Sequence, residues 1–235
     1  MNSRSPYRFR HSAFTLVELL TVIAIIAILM GLLFPAIQIV KDQANKVKAK
    51  TDIVNTVAAV KQYYVEYGKY PLTGQATGVD IAFGDTASVS SSGTAIPNNN
   101  LFDILRNYPN GNRPTPDGNP RQIVFFEGKN GIATSGMPRS GFASTSTGGT
   151  GVLGCFYDPW GAQYAISVDG TYDNWVPVPY QDFPAPSGSG LSYPCAVNLG
   201  CAAWSIGKDG TIGSATFGPY YRYSGNSSDD VVSWQ

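Results

Sequence analysis

The sequence predicts an α+β chain in which one long N-terminal helix packs on a small antiparallel β-sheet. Three observations carry that expectation. Residues 14–37 are almost wholly apolar, and from Leu19 to Ile37 only Thr21 is strongly polar. Beyond them, apolar residues recur at three-to-four spacing up to Tyr67, where Gly68 and Pro71 mark a helix stop. The distal half then changes to short alternating runs separated by Gly, Pro, Asn and Asp, the pattern of strands joined by turns.

The 235 residues suffice for one globular domain plus an anchor. Charged residues make up 14%, against roughly a quarter in an average globular chain, and the formal charge is zero. No run of Lys or Arg follows the first helix, so no nucleic-acid partner is expected. Arg4, Arg8 and Arg10 all precede Phe14, and so does the single histidine, His11. Removal of residues 1–13 takes Lys plus Arg from 16 to 13 against 16 Asp plus Glu, a net charge near −3. A chain so trimmed has no histidine, which excludes Ser-His-Asp and Cys-His nucleophile pairs and any His-ligated metal centre. Composition leaves lysine or carboxylate-pair chemistry open, but no catalytic constellation stands out, and the chain is read as a non-enzyme.

Taken in order, residues 1–13 form a polar, basic leader, and residues 14–68 form the long helix, roughly 80 Å at 1.5 Å per residue. Its first part has the length needed to cross a hydrocarbon core, with the preceding arginines placing the N-terminus on the cytoplasmic side. The apolar run is too long for a secretory signal peptide, and no small-x-small site follows Pro35. A plain anchor leaves Glu18 unexplained, because a carboxylate in lipid costs about 2.5–3.5 kcal/mol even on the lenient insertion scale. Two readings of Glu18 stand: a residue at the membrane interface, or one neutralised by a new α-amino group on Phe14 of a neighbouring copy. Gly31 and Pro35 make the weakest stretch of the helix. Past Pro35, one stripe runs through Val40, Ala44, Val47, Thr51, Val54 and Ala58, and a second through Ile53, Val57, Val60, Tyr64 and Tyr67. Two stripes suit a helix that packs on its own domain and on neighbouring helices.

Residues 69–157 read as a loop-rich insertion, with a short helix over 100–107 and a strand over 121–126. Residues 158–235 read as a C-terminal β region, in which 164–168 and 172–178 alternate like strands across a hairpin turn at Asp169-Gly170. Asp158-Pro-Trp-Gly makes a turn whose Trp160 fills a core. Asp169 and Asp173 are turn residues or a cation pair. Of the three cysteines, Cys195 and Cys201 flank a short loop, so a disulfide in an oxidising compartment and a pair of buried thiols both remain open. The segments Ser205-Ile-Gly-Lys-Asp209-Gly and Asp229-Asp230 are either a turn and a solvated end or an oxygen-rich site for a hard cation such as Ca²⁺.

Ala13-Phe14-Thr-Leu-Val-Glu18-Leu-Leu-Thr-Val-Ile-Ala resembles the N-terminal signature of type IV prepilins and type II secretion pseudopilins. The resemblance implies cleavage between Ala13 and Phe14 by a prepilin peptidase, N-methylation of Phe14, and pairing of Glu18 with a neighbour's N-terminus during assembly. The family usually has Gly before the cut, where this chain has Ala13. Pro35 matches the family's helix-breaking proline, and the stretch from Gly31 melts as related filaments form. Asp158-Pro-Trp-Gly-Ala-Gln-Tyr164 is similar to a major-pseudopilin motif. Ser205-x-Gly-x-Asp209-Gly with Asp229-Asp230-x-x-x-Trp234 is similar to that family's closing motifs, which wrap one Ca²⁺. Carried over, side chains of Asp209, Asp229 and Asp230 and backbone oxygens of Ile206 and Thr211 would be the ligands. The resemblance implies a pilin-like fold and a structural role: a subunit held in the bacterial inner membrane with its C-terminal domain periplasmic, then a homopolymeric helical filament. Its partners would be the peptidase, the inner-membrane assembly platform and minor pseudopilins. The alternatives are a type IV pilus subunit serving adhesion, motility or DNA uptake, and a minor tip pseudopilin.

Overall fold

The computed structural model describes residues 15–72, 78–84, 96–108, 118–132, 136–144, 151–180, 182–185, 195–213, 216–217, 220–221 and 228–234. Its elements in chain order are α1 (Leu16–Tyr67), β1 (Ile81–Phe83), α2 (Asn99–Leu105), β2 (Gly141–Phe142), β3 (Phe156–Tyr157), β4 (Ala165–Val168), β5 (Val176–Pro177), β6 (Ala196–Val197), β7 (Cys201–Ser205), β8 (Thr216–Phe217), β9 (Tyr220–Tyr221) and β10 (Val231–Val232). The α+β expectation is met. Two compact units divide the chain, one up to Ala44 and one from Asn45 onward.

In the first unit α1 runs unbroken through Gly31 and Pro35, and its described side chains from Leu16 to Ile39 are exposed. This segment is long and apolar enough to cross a membrane. In a helix with no protein partner of its own, apolar residues all round are stable only in lipid or against other chains.

The second unit holds the rest of α1 and a four-stranded antiparallel sheet in the order β1-β4-β7-β10. Register follows the period-2 rule that puts alternate side chains on opposite faces. Ile166 pairs with Ala203, and Ala165 with Trp204. One face carries Ile81, Phe83, Ile166, Val168, Cys201, Ala203 and Val231 against Ala49, Ile53, Ala59, Val60 and Tyr63 of α1. The opposite face carries Ala82, Ala165, Ala202, Trp204 and Val232 against Val176, Val178, Tyr180, Cys195 and Val197.

The two helix stripes separate, with one departure. Ile53, Val60 and partly Val57 and Tyr67 are buried in the core, but Tyr64 of the same stripe is exposed, as are Val40, Ala44, Val47, Thr51, Val54 and Ala58. Lys50 Nζ donates to the Val232 carbonyl at 2.7 Å, and Tyr164 Oη donates to Asp52 Oδ2 at 2.9 Å. Those two bonds tie α1 to the last strand and to the start of β4.

The segment expected to be a loop-rich insertion does more than loop. Leu101, Phe102 and Leu105 of α2 join Phe126, Phe142 and Phe156 in the helix-side core. Ring centroids in that cluster lie 4.6–5.9 Å apart, from the Phe142–Phe156 stack to the Phe126–Phe142 edge contact. The short helix expected over 100–107 is α2, two residues shorter at its end. The strand expected over 121–126 is absent: Gln122 has φ +56°, and the amides of Phe125 and Phe126 both donate to the one carbonyl of Leu105. A ladder needs alternating partners, so this stretch forms no strand.

The hairpin expected across Asp169-Gly170 is also absent. β4 pairs with β1 and β7, and β5 pairs with β6. Asp169 instead captures the amides of Tyr172 (2.6 Å) and Asn174 (2.9 Å), and both of those residues sit at positive φ. Side-chain capture of its own loop by an aspartate favours a turn over a strand.

Candidate functional site

The N-terminal segment comes first. Ala13 and Phe14 lie outside the described residues. Thr15 and Glu18 close the start of α1: the Thr15 amide and hydroxyl each donate to Glu18 Oε2 at 2.8 Å, and the Glu18 amide donates to Thr15 Oγ1 at 3.3 Å. This is a capping box, which satisfies helix-end amides that have no partner within the helix. It also gives the Glu18 carboxylate hydrogen bonds within its own chain. The signal for it is Thr15-Leu-Val-Glu18 itself, a Thr followed three residues later by Glu ahead of an apolar run. Gly31 has open space where a Cβ would stand, so no packing contact within the chain requires glycine there.

The C-terminal aspartates gather around the loop after β7. Gly207 sits at φ +70°, and a Cβ on it would lie 2.5 Å from Asp229 Cγ, so this glycine is required both by its backbone and by the close approach of Asp229. Asp229 Oδ2 accepts the amides of Lys208 and Asp209, the latter at 3.0 Å. Asp209 Oδ1 accepts the Thr211 amide at 2.8 Å, and Asp230 Oδ2 accepts the Gly213 amide at 2.6 Å. Asp230 is buried, and the Tyr180 hydroxyl interacts with its carboxylate. Burial pushes the Asp230 carboxyl up to about 6, outweighing the Gly213, Ser228 and Tyr180 hydrogen bonds that favour its ionised form.

These residues fit a hard cation in part. The buried Asp230 carboxylate lies beside the loop, and the Gly207 cradle draws Asp229 onto the stretch that carries Ile206, Asp209 and Thr211. Against that, among the described residues no three Asp, Glu, His or Cys side chains stand close enough to share one metal ion. Asp209 and Asp229 spend oxygens on loop amides instead.

Of the two readings left open for Cys195 and Cys201, the structure has the buried thiols: Cys155, Cys195 and Cys201 are all free. The sheet explains the outcome. Cys201 faces α1 in one core cluster, while Cys195 packs in the cluster on the opposite side. Burial pushes the Cys201 thiol up to about 12. Asp169 and Asp173 take the turn role: each binds amides of its own turn, Asp173 that of Trp175 at 2.8 Å.

The motif Asp158–Tyr164 is structural, and more deeply placed than the sequence indicated. Asp158 is fully buried, and its Oδ1 accepts the amides of Trp160, Gly161 and Ala162 at 2.9, 2.7 and 2.9 Å. Trp160 packs against the helix-side core, and Tyr164 lies inside it. Sequence reading missed Asp52 and Asn98. Asn98 is fully buried and bonds the backbones of Phe156 and Tyr164 at 2.9 Å, joining the start of α2 to β3 and β4. A lone Asn in a polar stretch carries no signal of that role.

The prokaryotic N-terminal methylation motif matches residues 8–34. Type II secretion system core protein G of Pectobacterium carotovorum subsp. carotovorum is 35% identical over 74 residues, 32% of this chain and 47% of that protein. The core protein G of Aeromonas hydrophila is 39% identical over 66 residues, 28% of this chain and 46% of its own length. That of Pseudomonas aeruginosa is 38% identical over 68 residues, 29% and 48% respectively. The chain thus spans about half the length of the curated relatives it matches. No solved structure matches it. The chain carries the prokaryotic N-terminal methylation motif and, over about a third of its length, is similar to type II secretion system core protein G.

Proposed function

We propose that this protein is the structural subunit of a type II secretion pseudopilus. A prepilin peptidase would cut between Ala13 and Phe14 and the new Phe14 amine would be methylated. The subunit would wait in the inner membrane with its C-terminal unit in the periplasm, and then polymerise on an assembly platform alongside minor pseudopilins. The observation that carries the reading is the methylation motif over residues 8–34, joined to an apolar helix start that finds no cover within its own chain. The exposed stripe from Val40 to Ala58 supports it, because that face would be buried against neighbouring helices at about 25 cal/mol per Å² of apolar surface.

In this reading Glu18 exchanges its capping bonds to Thr15 for the charged amine of a neighbour's Phe14. The capping bonds are already charge-assisted on the carboxylate side, and a neighbour's amine adds a full positive charge opposite it, which favours the exchange in a low-dielectric surrounding. Glu18→Ala is expected to be cleaved and to reach the membrane but to stay out of filaments. The check is co-fractionation of the cleaved subunit with sheared filaments, and wild-type incorporation of the variant overturns the pairing.

The loop 206–213 with Asp229 and Asp230 would take one Ca²⁺, with side chains of Asp209, Asp229 and Asp230 and backbone oxygens of Ile206 and Thr211 as ligands. When bound, the ion would supply positive charge to the desolvated Asp230 carboxylate and cross-link the loop to the last strand. The gathering of Asp209, Asp229 and the buried Asp230 around one loop supports this. Calcium at saturating concentration is expected to raise the thermal midpoint of the detergent-solubilised chain, as binding to the folded state alone must. Identical midpoints in calcium and in chelator refute it.

A further inference from the structure

We propose that the hollow between the end of α2 and residues 124–128 is a binding site for a carboxylate on a partner peptide, with Arg106 as its anchor and an apolar side chain of the same peptide seated beside it. The site uses none of the filament or calcium residues, so its failure would leave both of those readings where they stand.

The two walls are fixed to one helix end. The amides of Arg106, Asn107 and Tyr108 close α2 onto the carbonyls of Phe102, Ile104 and Asp103 at 2.8, 3.3 and 3.0 Å. Asn107 takes φ +50°, an uncommon value for a residue with a side chain, and turns the chain between Arg106 and Tyr108. The opposite wall hangs from the same turn, because the amides of Phe125 and Phe126 donate to the Leu105 carbonyl at 2.8 and 3.1 Å. Gly128 brings that wall against the Phe142 ring, where a Cβ would stand 2.5 Å from Cε2. Between the walls lies a hollow of about 290 Å³, lined by Arg106, Tyr108, Val124, Phe126, Glu127 and Gly128. Ligand sites run from roughly 300 to 1,000 Å³, so this one has room for a carboxylate and a side chain and not for a large cofactor.

Arg106 is the group that calls for a ligand. Its guanidinium carbon lies 3.7 Å from the centre of the Phe142 ring and 5.0 Å from that of Tyr108. Stacking of this kind occupies the faces of a guanidinium and leaves the N–H groups at its edge. Those groups have no hydrogen-bond or ion-pair partner among the described residues, where the ion pair is Arg121–Glu66. Arg106 is partly buried, and burial holds it below its ordinary value, opposed by the charge of Asp103. A partly desolvated cation attracts an anion more strongly than one in open water.

The rest of the lining selects the anion. Glu127 is the one carboxylate among the described lining residues. Its charge disfavours a dianion such as phosphate and leaves a monoanionic carboxylate, whose two oxygens match the planar guanidinium fork. Val124 and Tyr108 are exposed, and with Phe126 they offer apolar surface to the neighbouring side chain.

The test is NMR titration of the full chain in detergent, following arginine Nε–H resonances, with that of Arg106 identified by its loss in Arg106→Lys. Four probes are used. Acetyl-phenylalanine has a chain-end carboxylate, acetyl-glutamyl-phenylalanine amide has the carboxylate on a side chain, acetyl-phenylalanine amide has none, and the fourth is inorganic phosphate. At least one carboxylate probe is expected to shift the Arg106 resonance with a dissociation constant on the order of 1 mM, and the tighter of the two identifies the source. The uncharged amide should bind at least about tenfold more weakly, the worth of a hydrogen bond to a charged group, and phosphate should bind more weakly than the carboxylates. Glu127→Gln removes the repelling charge and should tighten carboxylate binding a few-fold. Arg106→Gln should abolish it. No Arg106 shift with either carboxylate overturns the proposal, as does equal binding of acid and amide, tighter binding of phosphate, or undiminished binding in a folded Arg106→Gln chain. If Arg106→Gln does not fold, Glu127→Gln decides, and unchanged carboxylate affinity in that variant refutes the site.

Discussion

Replacing Tyr164 with Phe isolates one of the two bonds that fasten α1 to the sheet. The hydroxyl of Tyr164, itself 1% exposed, donates to Asp52 Oδ2 at 2.9 Å, and the ring stays in the core whichever residue is present. Burial raises the Asp52 carboxyl above its ordinary range, opposed by the Tyr164 bond and by Lys48 and Lys129. Tyr164→Phe leaves this partly buried carboxylate without its donor, a cost of about 1–3 kcal/mol. The sign with pH follows from linkage. A carboxyl raised in the folded state binds its proton more tightly there than in the unfolded chain. Stability from that source is therefore greatest at low pH and falls as pH rises through the folded value. Removal of a donor to the ionised form raises that value further, so the variant should lose more stability at pH 7 than at pH 4. Urea unfolding in detergent checks it, because Trp160, Trp175, Trp204 and Trp234 all lie beyond Ala44 and report on the second unit alone. A double-mutant cycle with Asp52→Asn should give a coupling energy of about 1–2 kcal/mol. A loss under about 0.5 kcal/mol that does not vary with pH would refute the assignment of Tyr164 as a helix fastener, since that is the range of neutral surface changes.

Two further outcomes follow from buried groups. The Asp230 carboxyl at about 6 implies that the calcium-free fold loses stability as pH rises from about 4 to above 6, by about 2–3 kcal/mol at 1.36 kcal/mol per unit. Asp230→Asn should flatten that slope in chelator, and an unchanged pH profile would contradict it. For the thiols, burial pushes both Cys155 and Cys201 up to about 12. Native protein should therefore react slowly with a thiol reagent at pH 8, release three equivalents on denaturation, and show no bridged peptide by non-reducing mass spectrometry. A Cys195–Cys201 peptide would refute the placement of the two thiols on opposite faces of the sheet.

What the sequence determined by itself was whatever depends on local order along the chain. The apolar run, the two stripes of α1, and the stop at Gly68 and Pro71 are periodicities and punctuation, and a helix realises them through bonds four residues apart. The capping box at Thr15 and Glu18 is local too, and could have been read. The glycine of Ser205-x-Gly207 is legible as a tight turn, though not the carboxylate it admits. Tertiary structure alone decided matters that turn on sequence-distant partners. It showed that Phe102, Phe126 and Phe142 of the supposed insertion belong in the core with α1, that Asp169 folds its own loop where a hairpin was expected, and that Cys195 and Cys201 face away from each other across the sheet. Asp158 makes the same point: its turn is written in four adjacent residues, but its second oxygen finds Ser205 only after β3 and β7 have been packed. The reason is physical. A hydrogen bond or a core contact is satisfied by whatever the packed fold brings near, and burial makes that satisfaction obligatory, whereas alternation and helical period record only which way each side chain points.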